Sequence, residues 1–176
     1  MGCFWCIEAD FESVGGVSEP VSGYAGGIAE SPTYITLKGT GHYGVVKITY
    51  DAFIVTPRKL LDLFLRPVDQ TDAGGQFCDR STTYRTARFI DGLKQRRTAK
   101  AAQVTLGQPI VTPIIKATTL YNVEKYHQNY YKSRRLALPR FGPVKQSTAY
   151  KKYRGSCGRE TRVKQLWGAD APFVSP

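Results

Sequence analysis

Gly2-Cys3-Phe4-Trp5-Cys6-Ile7-Glu8, continued by Ala9-Asp10-Phe11-Glu12, opens the chain with a helix. Apolar and charged positions from Ile7 to Phe11 alternate at helical spacing. A helix that starts near Cys3 points its free amides at that residue and favours the thiolate over the thiol. Within six positions the stretch therefore sets two thiols, an aromatic pair and a carboxylate. Phe4 and Trp5 offer an apolar wall for a small uncharged substrate.

Beyond this helix the pattern changes period. Val17 to Tyr24 reads as a strand closed by Ala25-Gly26-Gly27, and Gly44 to Tyr50 alternates as a half-buried strand. Ser31 to Gly41 is a loop that allows a short helix around Tyr34 to Leu37. Thr56-Pro57 caps a helix running to about Leu65. Pro67 to Arg80 is a long glycine- and aspartate-rich loop, of a kind often functional. A strand over Thr83–Ile90, a basic helix over Gly92–Leu106, a strand over Ile114–Leu120 and a helix over Val123–Ser133 follow. The tail from Leu136 reads as irregular, with a last helix over about Gly158–Leu166. This order predicts an α+β protein: a single-domain two-layer α/β sandwich with a ferredoxin-like core, a mixed sheet and an irregular C-terminal tail over residues 134–176.

The chain has 176 residues, 41% hydrophobic and 12% aromatic, enough for one real core. No apolar run reaches membrane-spanning length. No secretory signal is read before Cys3, and the expected location is the cytoplasm. Residues 1–80 carry six Lys/Arg against ten Asp/Glu, a balance of −4; residues 81–176 carry nineteen against four, a balance of +15. The basic residues are scattered among Gln, Thr and Tyr and build no nucleic-acid-reading motif, so they read as a solvated face. The four cysteines, Cys3, Cys6, Cys78 and Cys157, have no zinc-ribbon spacing and are too few for a stapled scaffold. Catalytic or redox use remains. His42 and His127 lack metal-ligand spacing and read as structural, and no metal or cofactor is expected.

Further blocks along the chain join the opening one. Gly23-Tyr24-Ala25-Gly26-Gly27 is followed by Pro32-Thr33-Tyr34 and Thr40-Gly41-His42. The stretch 72–80, ending Gly75-Gln76-Phe77-Cys78-Asp79-Arg80, leads to Tyr84-Arg85-Thr86-Ala87. Glu124-Lys125-Tyr126-His127-Gln128-Asn129-Tyr130 comes next, and Cys157-Gly158-Arg159 and Leu166-Trp167-Gly168 close the series. Collinear and spread over almost the whole chain, these blocks resemble the peptide methionine sulfoxide reductase A family.

The resemblance implies that Cys3 attacks the sulfur of a methionine S-sulfoxide, in protein or free. Methionine leaves, and Cys3 becomes a sulfenic acid. A second thiol, Cys6 or Cys157, condenses with it, and thioredoxin or dithiothreitol restores the pair. Phe4 and Trp5 then hold the substrate methyl group, while Tyr34, Asp79 and Tyr84 surround the sulfoxide oxygen. The chemistry of the residues agrees in part, since a soft nucleophile, a neutral phenol donor and an aromatic wall suit a methyl sulfoxide. Between the two candidate resolving thiols, Cys6 lies one helical turn from Cys3, whereas Cys157 sits in the tail. Cys78 reads as a small packing residue, and Glu8 and Glu124 as carboxylates that tie helix and loop together. A monomer is expected.

Two features depart from the family pattern. Gly44 stands where the family places a glutamate, the proton donor to the departing oxygen. The strand that usually precedes the catalytic glycine is missing before Met1, which predicts an open sheet edge or a core gap. Gly44 keeps a catalytically impaired binder of oxidised methionine as an alternative. Cys3 and Cys6 keep a general thiol-disulfide oxidoreductase as another.

Overall fold

The computed structural model describes residues 3–105, 107, 109–139 and 142–174. Helix α1 spans Phe4–Glu12, and Cys3 is its N-cap residue in extended conformation, φ −69° and ψ 114°. The Cys3 carbonyl accepts the Cys6 amide at 3.1 Å. Strands β1 (Val17–Ala25) and β2 (Tyr43–Tyr50) follow and pair antiparallel, with Tyr24 opposite Gly44. Helix α2 (Pro57–Leu65) starts as its sequence predicts: the Thr56 hydroxyl accepts the Lys59 amide at 3.2 Å and Pro57 sits in the first turn.

The 67–80 segment is more regular than its composition suggests. Strands β3 (Gly75–Gln76) and β4 (Asp79–Arg80) form a tight hairpin within it. Gly75 has φ +153°, and a Cβ there would meet the Asp79 carbonyl oxygen at 2.2 Å. Only glycine lets the backbone close this hairpin and present Asp79. The strand expected over Thr83–Ile90 is broken. A 3₁₀ turn occupies Thr82–Tyr84 and only β5 (Arg88–Ile90) is extended. Helix α3 (Gly92–Thr105) matches the basic helix up to the predicted last residue, Leu106, which lies outside the described residues. The next strand is shorter than expected: β6 (Ile114–Lys116) runs parallel to β5. Strand β7 (Tyr121–Asn122) then pairs with β1.

Two expectations fail in the C-terminal third. Val123–Ser133 is not an α-helix; it is a series of turns ending in a 3₁₀ turn at Tyr130–Lys132. Asn129 adopts a left-handed conformation, φ 55°, and donates its amide to the Glu8 carboxylate at 2.8 Å. That amide is unavailable to a helical ladder. The tail is not irregular. A hairpin of β8 (Leu136–Ala137) and β9 (Val144–Lys145) leads into α4 (Gln146–Ser156), and α5 (Arg159–Trp167) follows where the last helix is predicted.

The architecture is thus mixed α/β, with small sheets and five helices among the described residues. Helix α1 is its hub. On one side Ile7 and Phe11 pack with Val45 of β2 and with Leu60, Phe64 and Leu65 of α2. On the other, Cys3 and Cys6 pack against Tyr130 and against Ala149 and Tyr150 of α4. The sheet order is β2–β1–β7, while β5 pairs only with β6, so among the described residues β2 and β5 each keep one unpaired edge. An apolar cavity of about 510 Å³ is lined by both, through Val46 and Ile48 of β2 and Phe89 and Ile90 of β5.

Candidate active site

The two thiols of α1 are the centre of the site. Both are free and buried, and their side chains hydrogen-bond to each other. Burial and the neighbouring Cys6 push the Cys3 thiol well above its ordinary range. Cys6 moves the other way, to about 7, through the Cys3 hydrogen bond and, against the cost of burial, the guanidiniums of Arg159 and Arg154. Within the hydrogen-bonded pair negative charge is thus favoured on Cys6 over Cys3. The basic side chains sit nearer Cys6, which the sequence did not disclose because both arginines come from the distant tail.

Those arginines are fixed by a buried carboxylate. Arg154 of α4 and Arg159 of α5 reach Asp10 of α1 at 2.8 and 3.0 Å. Neither arginine nor Asp10 was singled out in the sequence. No local pattern links residues so far apart, and their exposed look in a one-dimensional reading hides the ion triad.

Aromatic rings pack beside the thiols, with Trp5 and Tyr130 in their cluster. Trp5 stacks on Tyr130 at 3.9 Å and 10°, and Phe4 meets Trp5 edge-on at 5.9 Å. His127 completes the box, its ring 5.5 Å from both Phe4 and Trp5 and 4.8 Å from Tyr34. His127 is not the satisfied histidine that was expected: neither ring nitrogen has a hydrogen-bond partner among the described residues. Burial lowers its pKa and keeps it neutral. His42 does satisfy both nitrogens, accepting from the Gly27 amide at 3.2 Å and meeting the Ala29 carbonyl at 2.8 Å.

A polar wall faces the rings. The hydroxyls of Tyr34 and Tyr84 lie 2.7 Å apart. Burial, with the Tyr34 hydroxyl beside it, pushes the Tyr84 phenol above its ordinary range, so it stays protonated and able to donate. The 3₁₀ turn that replaced the predicted strand places Tyr84 here. Glu124 anchors Tyr34 by accepting its amide at 2.9 Å and also accepts the Tyr24 hydroxyl at 3.2 Å. Asp79, presented by the β3–β4 hairpin, accepts the Tyr153 hydroxyl of α4. Burial raises its pKa, against the opposing pull of Tyr153 and Arg159. Asp79 and Tyr84 both interact electrostatically with Cys3, so the predicted set Cys3, Asp79, Tyr34 and Tyr84 converges. Glu8 lies behind it, bonded to Ser22 and Asn129 at 2.9 and 2.8 Å, the tying role expected of it.

Gly44 lies across from Tyr24 in the β1–β2 ladder. Cross-strand partners share a face. Tyr24 packs edge-on against Phe4 at 6.2 Å, so a side chain at position 44 would emerge toward the aromatic box.

The other two cysteines are where the sequence reading needs correcting. Cys78 is not a packing residue: it is exposed and disulfide-bonded to Cys157, across a separation of 79 residues. The signal was its place next to Asp79, which puts it beside the site once Asp79 is in it. No group of three or more His, Cys, Asp or Glu that could hold a metal occurs among the described residues.

A thiol pair at a helix N-terminus, an aromatic box and protonated phenols together define a thiol-dependent oxidoreductase. Comparison with known proteins narrows this. The model of the family "Peptide methionine sulfoxide reductase" matches residues 1–169. The reductase MsrA of Bacillus subtilis is 40% identical over 176 residues, covering 96% of this chain and 93% of that protein. MsrA 2 of Rhizobium meliloti is 41% identical, covering 95% and 80%. Among solved structures, methionine sulfoxide reductase A of Corynebacterium diphtheriae superposes with a TM-score of 0.66 at 29% identity, covering 74% of this chain and 70% of that one. Reduced Mxr1 of Saccharomyces cerevisiae gives 0.66 at 27%, covering 73% and 79%. The chain belongs to the peptide methionine sulfoxide reductase family.

Proposed function

We propose that this protein reduces methionine S-sulfoxide, peptide-bound and free, to methionine, and so repairs oxidised proteins. One observation carries the reading: the Cys3–Cys6 thiol pair sits between an aromatic box and a protonated phenol pair. The substrate methyl group packs on Phe4 and Trp5, and the sulfoxide oxygen takes hydrogen bonds from Tyr34 and Tyr84, with Asp79 completing the polar wall. Cys6 accepts the Cys3 proton, and the Cys3 thiolate attacks the sulfoxide sulfur. The sulfur–sulfur bond so formed and the S–O bond both break as the oxygen, taking a proton from the phenol pair, passes to Cys3, giving methionine and a Cys3 sulfenic acid. Cys6 then attacks the Cys3 sulfur, the oxygen leaves as water, and a Cys3–Cys6 disulfide results. Overall one sulfoxide and two thiols give one thioether, one disulfide and one water.

The reductant that reopens this disulfide is a dithiol of the thioredoxin type, with dithiothreitol as a substitute. The protein acts as a cytoplasmic monomer with no metal or cofactor, and its basic half is a solvated face with no nucleic-acid or membrane partner. Among the described residues no helix is long and apolar enough to cross a membrane. We further read residues 1–176 as one domain with a ferredoxin-like core. The apolar cavity between the free edges of β2 and β5 supports this, since a strand there would give the order β5–strand–β2–β1 with α1 and α2 on one face.

Gly44 leaves the acid role to the Tyr34–Tyr84 pair. The test is steady-state reduction of a methionine S-sulfoxide peptide with dithiothreitol. Cys3→Ser is expected to abolish turnover, and a Cys3→Ser protein that keeps the parental rate ends the proposal. In the same assay Gly44→Glu is expected to raise the rate, up to the ~10²–10⁴-fold worth of a positioned acid. No gain would mean that the phenols already supply the proton.

A further inference from the structure

Asp79 enters the site with little to hold it. It belongs to a two-residue strand of a tight hairpin and is partly buried, and burial favours the neutral acid over the carboxylate. Arg159 opposes this by charge alone, because its guanidinium is bonded to Asp10 at 3.0 Å and lies over the Phe77 ring at 5.3 Å. Among the described residues one side chain bonds to the Asp79 carboxylate. It is Tyr153 of α4, whose hydroxyl donates to Oδ2.

Tyr153 is built for this contact. Its ring meets Trp5 edge-on at 6.2 Å and lines the same small cavity as Cys3, Cys6 and Asp79. The helix that carries it is fixed to α1, the helix that carries the thiols. Ala149 and Tyr150 pack with Cys3 and Cys6, and Arg154 reaches Asp10 at 2.8 Å. Burial, together with the charges of Cys3 and Asp79, holds the Tyr153 phenol above its ordinary range, so it remains a donor. Tyr34 and Tyr84 already supply donors to the polar wall. What that wall lacks without Tyr153 is a fixed acceptor. A buried carboxyl with no donor on it takes up a proton and becomes one more donor.

We propose that Tyr153 is a positioning residue of this site: its hydroxyl fixes the Asp79 carboxylate as the acceptor of the polar wall, so that the C-terminal helix α4 completes a site begun by α1. The proposal rests on the reduction of sulfoxide at Cys3 set out above. Tyr153 acts through Asp79 and not on the substrate, so whatever it contributes must vanish when Asp79 loses its charge.

Tyr153→Phe keeps the ring on Trp5 and removes only the donor. In steady-state reduction of a methionine S-sulfoxide peptide with dithiothreitol, it is expected to lower kcat/KM roughly ten- to hundredfold, the worth of a hydrogen bond to a charged group. Added to Asp79→Asn, the same change is expected to cost less than about twofold more, since the two residues act as one unit. A second measurement needs no turnover. Carbon NMR of protein labelled at its aspartate carboxyl carbons follows each ionisation, and the Asp79 signal is the one absent from Asp79→Asn. Asp79 is expected to titrate at higher pH in Tyr153→Phe than in the wild type, because burial is then less opposed. A ring-fluorinated tyrosine at position 153, a stronger donor of nearly the same shape, is expected to move Asp79 the other way, and it decides the matter even where Tyr153→Phe folds poorly. No loss of rate, equal losses with and without Asp79, or an Asp79 titration that ignores both changes would overturn the proposal while leaving sulfoxide reduction intact. A wild-type protein that reduces no peptide overturns the reduction itself and any part for Tyr153 in it. The titration tells that failure apart, because it reads the Tyr153–Asp79 bond without turnover.

Discussion

Cys6 does more than wait for a sulfenic acid. In the proposed mechanism its thiolate, favoured by the Cys3 hydrogen bond and then by Arg159 and Arg154 and lowered in pKa to about 7, is the base that frees Cys3. Cys3 is itself held well above the ordinary thiol range, chiefly by burial, and that burial remains when Cys6 is removed. The first turnover should therefore rise as pH increases through about 7 and then level off, because Cys6 must have lost its proton before it can take that of Cys3. In Cys6→Ser, rapid-quench measurement of the first methionine released should show the rise displaced to alkaline pH. At neutral pH the rate should fall roughly ten- to hundred-fold, following the lost thiolate fraction. An unchanged profile would mean that Cys6 serves only to close the disulfide. Tyr84 carries the second residue-scale expectation. Its phenol is the better-buried donor of the pair, so Tyr84→Phe should lower kcat/KM by about 10² or more in the same peptide assay. A loss under threefold would assign the proton to Asp79.

At the scale of elements, α1 is held by two groups that the chain brings from opposite ends. Its apolar side was legible: Ile7 and Phe11 fall at helical spacing and do meet the core, and the capped α2 and the β1–β2 pair stand where pattern and turn chemistry put them. Its other side was not legible. The α4 segment offers an apolar stripe of only Ala149, Tyr150 and partly Tyr153 beside buried Gln146 in a polar run, too weak a period to read as a helix against solvent. What fixes it is charge. Asp10 is buried between Arg154 and Arg159, a contact 144 and 149 residues long that no local pattern encodes. Likewise the turns over 123–133 replace a plausible helix because Glu8 takes the Asn129 amide. Removing the Asp10 carboxylate would take the ion-pair partner from buried Arg159 and leave Arg154 with Glu160 at 3.6 Å, a change that typically costs about 3–5 kcal/mol. Asp10→Ala is thus expected to lower stability in urea by that order. It should also raise the Cys6 pKa, since losing the guanidiniums beside the sulfur outweighs losing the Asp10 charge, which by itself pushes that pKa up. Thiol titration by absorbance at 240 nm reads the second effect. A Cys6 pKa that stays near 7 in the variant would show that the arginines are positioned without Asp10.

Over the whole molecule the Cys78–Cys157 bond closes a loop of 79 residues and joins the hairpin that bears Asp79 to the junction of α4 and α5. Cross-linking so distant a pair restricts the unfolded chain strongly; the chain-entropy estimate is about 4–5 kcal/mol, and measured values are typically 2–4. The sheet gives little compensation, because the apolar cavity leaves β2 and β5 apart and the two sheets make no ladder with each other among the described residues. The oxidised protein should therefore be the more stable form by about 2–4 kcal/mol, measured by urea unfolding with and without a dithiol. The same comparison on the Cys78→Ser/Cys157→Ser variant should show almost no effect of the dithiol, since its remaining cysteines, Cys3 and Cys6, are already thiols in the folded state. Equal midpoints for oxidised and reduced wild-type protein would mean that the second pair closes without constraining the chain.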